Sequence, residues 1–440
     1  MPAPTSAELA EYAARRARLL AAIGPDSVAI IPSSREVIRN RDAHYRFRQD
    51  SDFLYLSGFN EPDSMLVLVP GRKEGAFLMF VRARDATREI WDGRRAGPEG
   101  AVSTYGADQA FVIGEFEKQL HDLLAGRNRI FFTLGEHPEW DGKIAAVVRE
   151  IREVSRRGAA APTDIVALET TLHEQRLIKT DAELALIRHA CQVTAAAHVR
   201  AMRATHPGNW EWAVAAEIHH EFERNGMECG YGSIVGGGEN ACILHYKENE
   251  SQLRDGDLLL IDAGGEYRGY TADITRTFPV NGRYSGAQKE VYEVVLAAQL
   301  AAIAELTAGN ASSRPHEVAT RVLTEGMVSL GLLRGDVDAL IADGKHRQFY
   351  MHGTGHWLGL DVHDVGRYKI DGIARPFQPG MVMTVEPGLY IAPGSEGVDP
   401  RFHGIGIRIE DDVLVTSGAP EVLTHGVPKS VADIEALMRG

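Results

Sequence analysis

LLLIDAGGEYRGYTADITRTFPV, residues 258–280, decides how the second half of this chain folds. Four apolar residues run into Asp262, a Gly-rich turn follows, and a β-branched segment returns through Asp273. The pattern predicts two antiparallel strands joined as a hairpin. An aspartate in a fully buried strand is costly unless it is paired or coordinates a cation. Adjacent antiparallel strands bring opposed side chains to about 5 Å. Asp262 and Asp273 that close would repel and raise each other's pKa unless a cation lay between them.

Outward from the hairpin the oddity repeats. MVMTVEPGLYI (381–391) ends an apolar strand on Glu386, and GIGIRIEDDVLVT (404–416) carries Glu410 after another apolar run. One strand-end carboxylate is most simply read as an arginine's partner. Four in one region, beside clustered histidines, point to a metal centre. The histidines His352, His356 and His363 lie in MHGTGHWLGLDVHD (351–364), which reads as a loop folded around a site. One imidazole with several carboxylates suits Mn²⁺, Co²⁺, Zn²⁺ or Fe²⁺ better than Ca²⁺. Carboxylates shared between two ions mark a two-metal hydrolytic centre.

Around these strands the pattern is helical. TDAELALIRHACQVTAAAHVRAMRAT (180–205) opens on a Thr180/Glu183 capping box, and WEWAVAAEIHHEFERNG (210–226) closes on Gly226. With helices also expected over 286–308 and 315–331, the pattern predicts an α+β domain whose helices back an antiparallel sheet. The earlier part differs. DSVAIIPSS (26–34), SMLVLVPG (64–71), GAFLMFVRA (75–83) and RNRIFFTLG (127–135) are strand-like, with helical GEFEKQLHDLLAG (114–126) between them. They predict an α/β domain with a mostly parallel sheet. SRRGAAAPTDI (155–165) interrupts the pattern, and the domains are taken as 1–172 and 173–440.

The 440 residues, 44% apolar and 25% charged, are globular in composition and long enough for two cores. Residues 1–172 hold 23 basic and 25 acidic residues and residues 173–440 hold 24 and 36, so the net −14 belongs almost entirely to the second part. That excess is either a solubility surface or, in part, carboxylates turned inward on cations. Either way it argues against a nucleic-acid partner. Cys191, Cys229 and Cys242 form no CxxC pair, which fits a reducing compartment. The first residues read as an amphipathic helix rather than a signal peptide, and no uncharged apolar run reaches about 18 residues. These features predict a soluble cytoplasmic protein with no membrane partner.

Together the hairpin, HGTGHWLGLDVHD, TVEPGLY and GIRIEDDVLV resemble the motif set of the pita-bread metallopeptidases, which include aminopeptidase P, prolidase and methionine aminopeptidase. RNRDAHYRFRQDSDFLYLSGFNEPDS (39–64) and IWDGRRAGPEG (90–100) resemble the N-terminal domain of bacterial aminopeptidase P. The resemblance implies a creatinase-like α/β domain followed by an α+β pita-bread domain. It implies that Asp262 chelates one metal alone, that Asp273 and Glu410 bridge two, and that His356 and Glu386 complete the other metal's shell. The ions would be Mn²⁺ first, with Zn²⁺, Co²⁺ or Fe²⁺ as alternatives. A hydroxide bridging them would attack the scissile carbonyl, with Glu386 also acting as general base.

The same resemblance puts His363 near the carbonyl oxygen. His245 and His352 would line the pocket beyond the scissile bond, Tyr390 would contact substrate, and Arg408 would hold a ligand carboxylate. The plainer reading of the first domain is a structural or oligomerising module. The functional one has Trp91 helping to close a site entrance, with Asp42 in a polar network near the substrate's amino end, in a homodimer or homotetramer.

An Xaa-Pro bond is a tertiary amide without an N–H, so it calls for a dedicated site. The implied substrates are peptides with proline at the second position, cut to release the first residue. The alternative is a prolidase, restricted to dipeptides. Methionine aminopeptidase would leave residues 1–172 unexplained. A remote alternative is a metal-free pita-bread binding module, but such proteins are marked by lost ligands, and all five ligands are present here.

Overall fold

The computed structural model describes residues 2–156 and 158–439. By its internal contacts the chain divides into Met1–Gln175 and Arg176–Gly440. The division falls inside the helix Glu169–Leu177. The interrupted stretch at 155–165, of which Arg157 lies outside the described residues, leads into a strand of the first unit.

In the first unit, β1 (Ser27–Pro32), β2 (Met65–Leu68), β3 (Phe77–Val81), β4 (Gln109–Val112), β5 (Arg129–Phe131) and β6 (Asp164–Val166) form one sheet. Its order is β4-β3-β2-β1-β5-β6. Pairs β3–β4, β1–β5 and β5–β6 are parallel, whereas β1–β2 and β2–β3 are antiparallel. The sheet keeps the expected parallel majority, three pairs of five, and the antiparallel pair β2–β3 follows from the short PGRKEG turn, since a parallel crossover needs a dozen or more residues. Val28, Val67 and Phe80 pack with Phe116 and Leu120 of the helix Phe116–Leu124 and with Ile144 of the helix Pro138–Val154.

The first helix, Ser6–Ile23, amphipathic as expected, buries two of its arginines, Arg15 and Arg16. Arg15 Nη1 donates to Tyr55 O at 3.1 Å and Arg16 Nη1 to Leu56 O at 2.7 Å. Those carbonyls end the helix Ser51–Ser57, where the last turn has no partner of its own. The guanidiniums supply one.

In the second unit, the helix Asp181–Ala204 opens on the expected Thr180/Glu183 box, and the helix Glu211–Arg224 begins after Trp210. Helices Gly286–Ala304 and Arg314–Ser329 follow. β7 (Ile234–Gly237), β8 (Leu258–Ala263) and β9 (Ile274–Pro279) make one antiparallel sheet. β10 (Val382–Val385), β11 (Gly388–Ile391), β12 (Ile405–Arg408), β13 (Asp411–Leu414) and β14 (Glu421–Val422) flank the other conspicuous carboxylates, with Glu386 between β10 and β11 and Glu410 between β12 and β13. Here β10 pairs with β13, β13 with β14, and β11 with β12, all antiparallel. This is the predicted α+β arrangement. Among the described residues, no helix is long and apolar enough to cross a membrane.

Candidate metal centre

Strand alternation puts the acids on one face. β8 pairs with β9 so that Asp262 stands opposite Thr275, not Asp273. The two aspartates are therefore diagonal neighbours rather than directly opposed, because Asp273 falls just before the paired run. Both still face one side, since positions two apart share a face. Tyr231 spans them, with its hydroxyl 2.6 Å from Asp262 Oδ1 and 2.5 Å from Asp273 Oδ1.

Glu386 follows β10 and Glu410 precedes β13, each held by its main chain. The Glu386 N–H donates to Thr354 O at 2.8 Å, and the Glu410 N–H to Thr275 O at 3.0 Å. The histidine loop lies along β10, with Thr384 N–H donating to His356 O at 2.9 Å and Leu358 N–H to Val382 O at 3.0 Å. Gly355 is required there, because a Cβ would sit 1.9 Å from Thr384 O. His356 Nδ1 donates to Trp357 O at 3.0 Å, which leaves Nε2 to face Asp273 Oδ2 at 3.6 Å and Glu386 Oε1 at 3.7 Å.

Ligand atoms of Asp273, His356 and Glu410 all lie within 4.8 Å of one another. One imidazole nitrogen among carboxylate oxygens is a donor set for divalent ions of intermediate softness, so these residues fit a metal.

With the protein's own charges alone, this nest is short of cations. Burial pushes Glu386 up to about 7, with His356 and Arg408 pulling against it. Burial also raises Asp262, against the pull of Arg408, and drives Glu410 well above the usual carboxylate range, helped by Asp273. For His356 burial opposes the charge, but the Asp273 contact outweighs it and brings the imidazole to about 9.

Among the described residues, Arg408 is the one guanidinium in the lining. Its Nη2 donates to Asp262 Oδ2 at 2.5 Å, Nη1 to Tyr390 OH at 3.0 Å and Nε to Thr275 Oγ1 at 3.1 Å. Thr275 in turn donates to Glu410 Oε2 at 2.6 Å. His352 Nε2 is 2.9 Å from Tyr390 OH, and its Nδ1 is 3.8 Å from Glu386 Oε2. Burial first, then Arg408, lowers His352 to about 4 and keeps it neutral near pH 7. Burial and His356 lower His363 as well, and its ring centroid lies 4.0 Å from that of His356.

A cavity of about 430 Å³ collects these groups. Asp262, Asp273, His356, Glu386, Glu410, Arg408, His245, His352 and His363 all line it, beside an apolar wall of Ile234, Leu244 and Val362. Tyr390 sits buried behind His352. Trp91 and Asp42 belong to the first unit and are not in the lining. Trp91 is 82% exposed on the helix Ala86–Asp92, and Asp42 is exposed in the turn between Asn40 and Ala43.

Sequence reasoning missed several participants. Tyr231 in YGSIVGGG and Thr275 in TADITRTF look like ordinary strand-edge residues. Thr354, whose hydroxyl lies 2.9 Å from His316 Nδ1 and 2.5 Å from Tyr350 OH, was legible only as a loop residue.

Residues 185–417 match metallopeptidase family M24, and residues 12–131 match the aminopeptidase P N-terminal domain. The chain is 46% identical over 430 residues to the Xaa-Pro aminopeptidase of Escherichia coli strain K12, covering 97% of each. Among solved structures it resembles aminopeptidase PepP of Pseudomonas aeruginosa, with a TM-score of 0.96, 51% identity and 98% of each chain covered. It also resembles zinc-substituted E. coli aminopeptidase P in complex with product, with a TM-score of 0.94, 46% identity and the same coverage.

Proposed function

Because the chain belongs to metallopeptidase family M24 and carries the aminopeptidase P N-terminal domain, we propose that it removes the first residue from peptides whose second residue is proline. The observation that carries this reading is the convergence of Asp262, Asp273, His356, Glu386 and Glu410 on one cavity with three further imidazoles. Those five would hold two divalent ions, Mn²⁺ first, with Asp273 and Glu410 shared between them. Two such ions supply the charge that acidifies a water and polarises the scissile carbonyl.

The chain's own groups do the rest. Glu386, beside the water, accepts its proton as general base. His363 offers a hydrogen bond to the substrate carbonyl, and neutral His352 lines the pocket beyond the scissile bond without adding charge. Arg408 fixes Asp262 and Tyr390 together, so a ligand and a wall of the pocket keep one spacing. His245 lines the pocket on the leaving side. Trp91 is assigned to an entrance completed in a dimer or tetramer, Asp42 to a polar network near the substrate's amino end, and the protein to the reducing cytoplasm.

The test is an assay of the metal-depleted protein reloaded with Mn²⁺, comparing Gly-Pro-Xaa tripeptides with Gly-Pro. Tripeptides should be cut as well as or better than the dipeptide. Strict dipeptide preference assigns the chain to the dipeptidases instead. Turnover that survives exhaustive chelation, with metal loss verified, overturns the metal mechanism.

A further inference from the structure

Two further aspartates follow Glu410, and the proposed reaction uses neither. Alternation along β13 sends Asp411 and Asp412 to opposite faces, with Asp412 on the side of Glu410. Asp411 is surrounded by donors. Arg276 Nη2 lies 2.7 Å from Oδ1, and Lys429 Nζ and Gln299 Nε2 lie 2.6 and 2.8 Å from Oδ2.

Asp412 is fully buried too, yet no cationic side chain pairs with it among the described residues. Its Oδ2 accepts the Asp273 N–H at 2.9 Å and the Cys191 thiol at 3.3 Å, and its Oδ1 has no partner. Leaving a buried oxygen bare is expensive. The carboxylate's one strong interaction is with the main chain of a proposed ligand.

The surroundings give that contact its meaning. Cys191, Thr194 and His198 are buried on one face of the helix Asp181–Ala204, at helical spacing. Thr194 Oγ1 accepts the Gly265 N–H at 3.1 Å, and His198 Nε2 donates to Ala263 O at 3.1 Å. The helix thus ties the outgoing arm of the hairpin directly and the returning arm through Asp412. Thr275 already locks Glu410 to β9 through its hydroxyl and carbonyl. Asp412 is the tie that reaches the main chain of Asp273.

We propose that Asp412, seated by Cys191, is a positioning residue for the metal centre: by holding the Asp273 main chain it sets the separation between Asp273 and Glu410, the two carboxylates read as shared between the ions. The inference rests on the metal-centre reading. Partners of this kind, which touch a ligand and not the metal, alter metal affinity by about tenfold to a hundredfold when removed. Asp412→Ala deletes the acceptor, whereas Asp412→Asn keeps an oxygen for the Asp273 N–H. Cys191→Ala removes only the support behind it.

The experiment is a calorimetric titration of Mn²⁺ into the metal-depleted full-length protein, with circular dichroism as a check on folding and electron paramagnetic resonance on the loaded samples. Asp412→Ala should weaken Mn²⁺ binding by about tenfold or more and diminish the spin-coupled pair signal. Asp412→Asn should stay within a few-fold of wild type, and Cys191→Ala should fall between them. A folded Asp412→Ala protein with wild-type affinity and pair signal overturns the proposal. Should that variant not fold, Cys191→Ala decides, and an unchanged affinity there overturns it equally. A wild-type chain that takes up no Mn²⁺ defeats the metal-centre reading and this proposal with it, an outcome distinct from wild-type binding that the variants leave untouched.

Discussion

Glu410 and Asp411 are consecutive residues, both almost completely buried, yet they live in opposite electrostatic worlds. Burial, Asp273 and Glu386 drive Glu410 well above the usual carboxylate range. Burial would raise Asp411 too, but Arg276 and Lys429 outweigh it and hold the carboxyl at about 2. One step along a strand turns a side chain to the other face, and the two faces are furnished differently. Asp411 receives cations from the chain's own side chains, Arg276 and Lys429, as Asp364 does from Arg176 and Lys179. On the cavity side the chain gathers Asp262, Asp273, Glu386 and Glu410 around one arginine among the described residues, with an exposed Lys247 also in the lining, and this surplus of acids is what a bound cation would balance.

The contrast is most exposed at Glu386. If the cation-poor acids are there for metal and chemistry, Glu386→Gln should lower Mn²⁺-supported hydrolysis by about 10²- to 10⁴-fold. The metal-depleted variant should unfold no more easily than wild type, because the amide removes a buried charge. Wild-type turnover would erase the functional half of the comparison, and a large loss of stability would make Glu386 structural like its counterpart.

Arg276→Met attacks the other face. It leaves Asp411 with Lys429 as its one cation, beside the neutral donors Gln299 and Thr424, and should cost about 3–5 kcal/mol in denaturant unfolding, since a buried charge loses its main charged partner. Adding Asp411→Leu should recover most of that loss, because replacing a whole buried pair with apolar groups is often neutral. A double variant no better than the single one would mean that packing, not charge, holds this face.

The two faces should also respond to pH with opposite sign. Asp411, and likewise Asp364, which burial would raise but Lys179 and Arg176 hold at about 2, have folded pKa values below the unfolded value of about 3.9. Their contribution is fully present above about pH 4 and is lost as pH falls through about 2. Glu386, at about 7 against about 4.3 unfolded, does the reverse: its contribution is full at low pH and is lost as pH rises through about 7. Metal-depleted protein should therefore melt higher at about pH 5.5 than at about pH 8, and the gain in melting temperature on adding Mn²⁺ should shrink below about pH 7 as protons compete. A melting temperature that rises steadily from about pH 5.5 to about pH 8 without metal would break the comparison.

Much of the cation-poor face was legible in the sequence, and little of the cation-rich one. Asp262, Glu386 and Glu410 announce themselves because each ends an apolar run where a charge has no business, and His356 because it is one of three histidines within residues 351–364, spaced by Gly-Thr-Gly and an apolar run. What supplies a cation to Asp411 is remote: Lys429 is 18 positions away and Arg276 is 135, and nothing local marks either as its partner. The register had the same weakness. Pairing Asp262 with Thr275 is set by the whole β8–β9 ladder, so the diagonal placement of Asp273 could not be read from the hairpin's ends. The partners of Arg15 and Arg16 were hidden for a related cause, since helical periodicity cannot show that the carbonyls of another helix end against that face.

The smallest expected effect tests whether pairing or burial makes the difference. Arg188 and Glu421 meet through two hydrogen bonds, Nε to Oε1 at 3.1 Å and Nη2 to Oε2 at 2.8 Å, a contact as good in geometry as that of Arg276 with Asp411. Both side chains, however, are 44% exposed. Water already solvates each charge, so losing the partner strands nothing, and dissolved ions screen what attraction remains. Arg188→Ala should therefore cost about 0.2–1 kcal/mol at low ionic strength, and the cost should fade as salt is added. The measurement is the difference in unfolding free energy between variant and wild type at low and high salt. A cost close to that of Arg276→Met, or one indifferent to salt, would mean that the guanidinium contact itself stabilises wherever it occurs. The divide between Glu410 and Asp411 would then owe less to their burial than to which residue happened to face them.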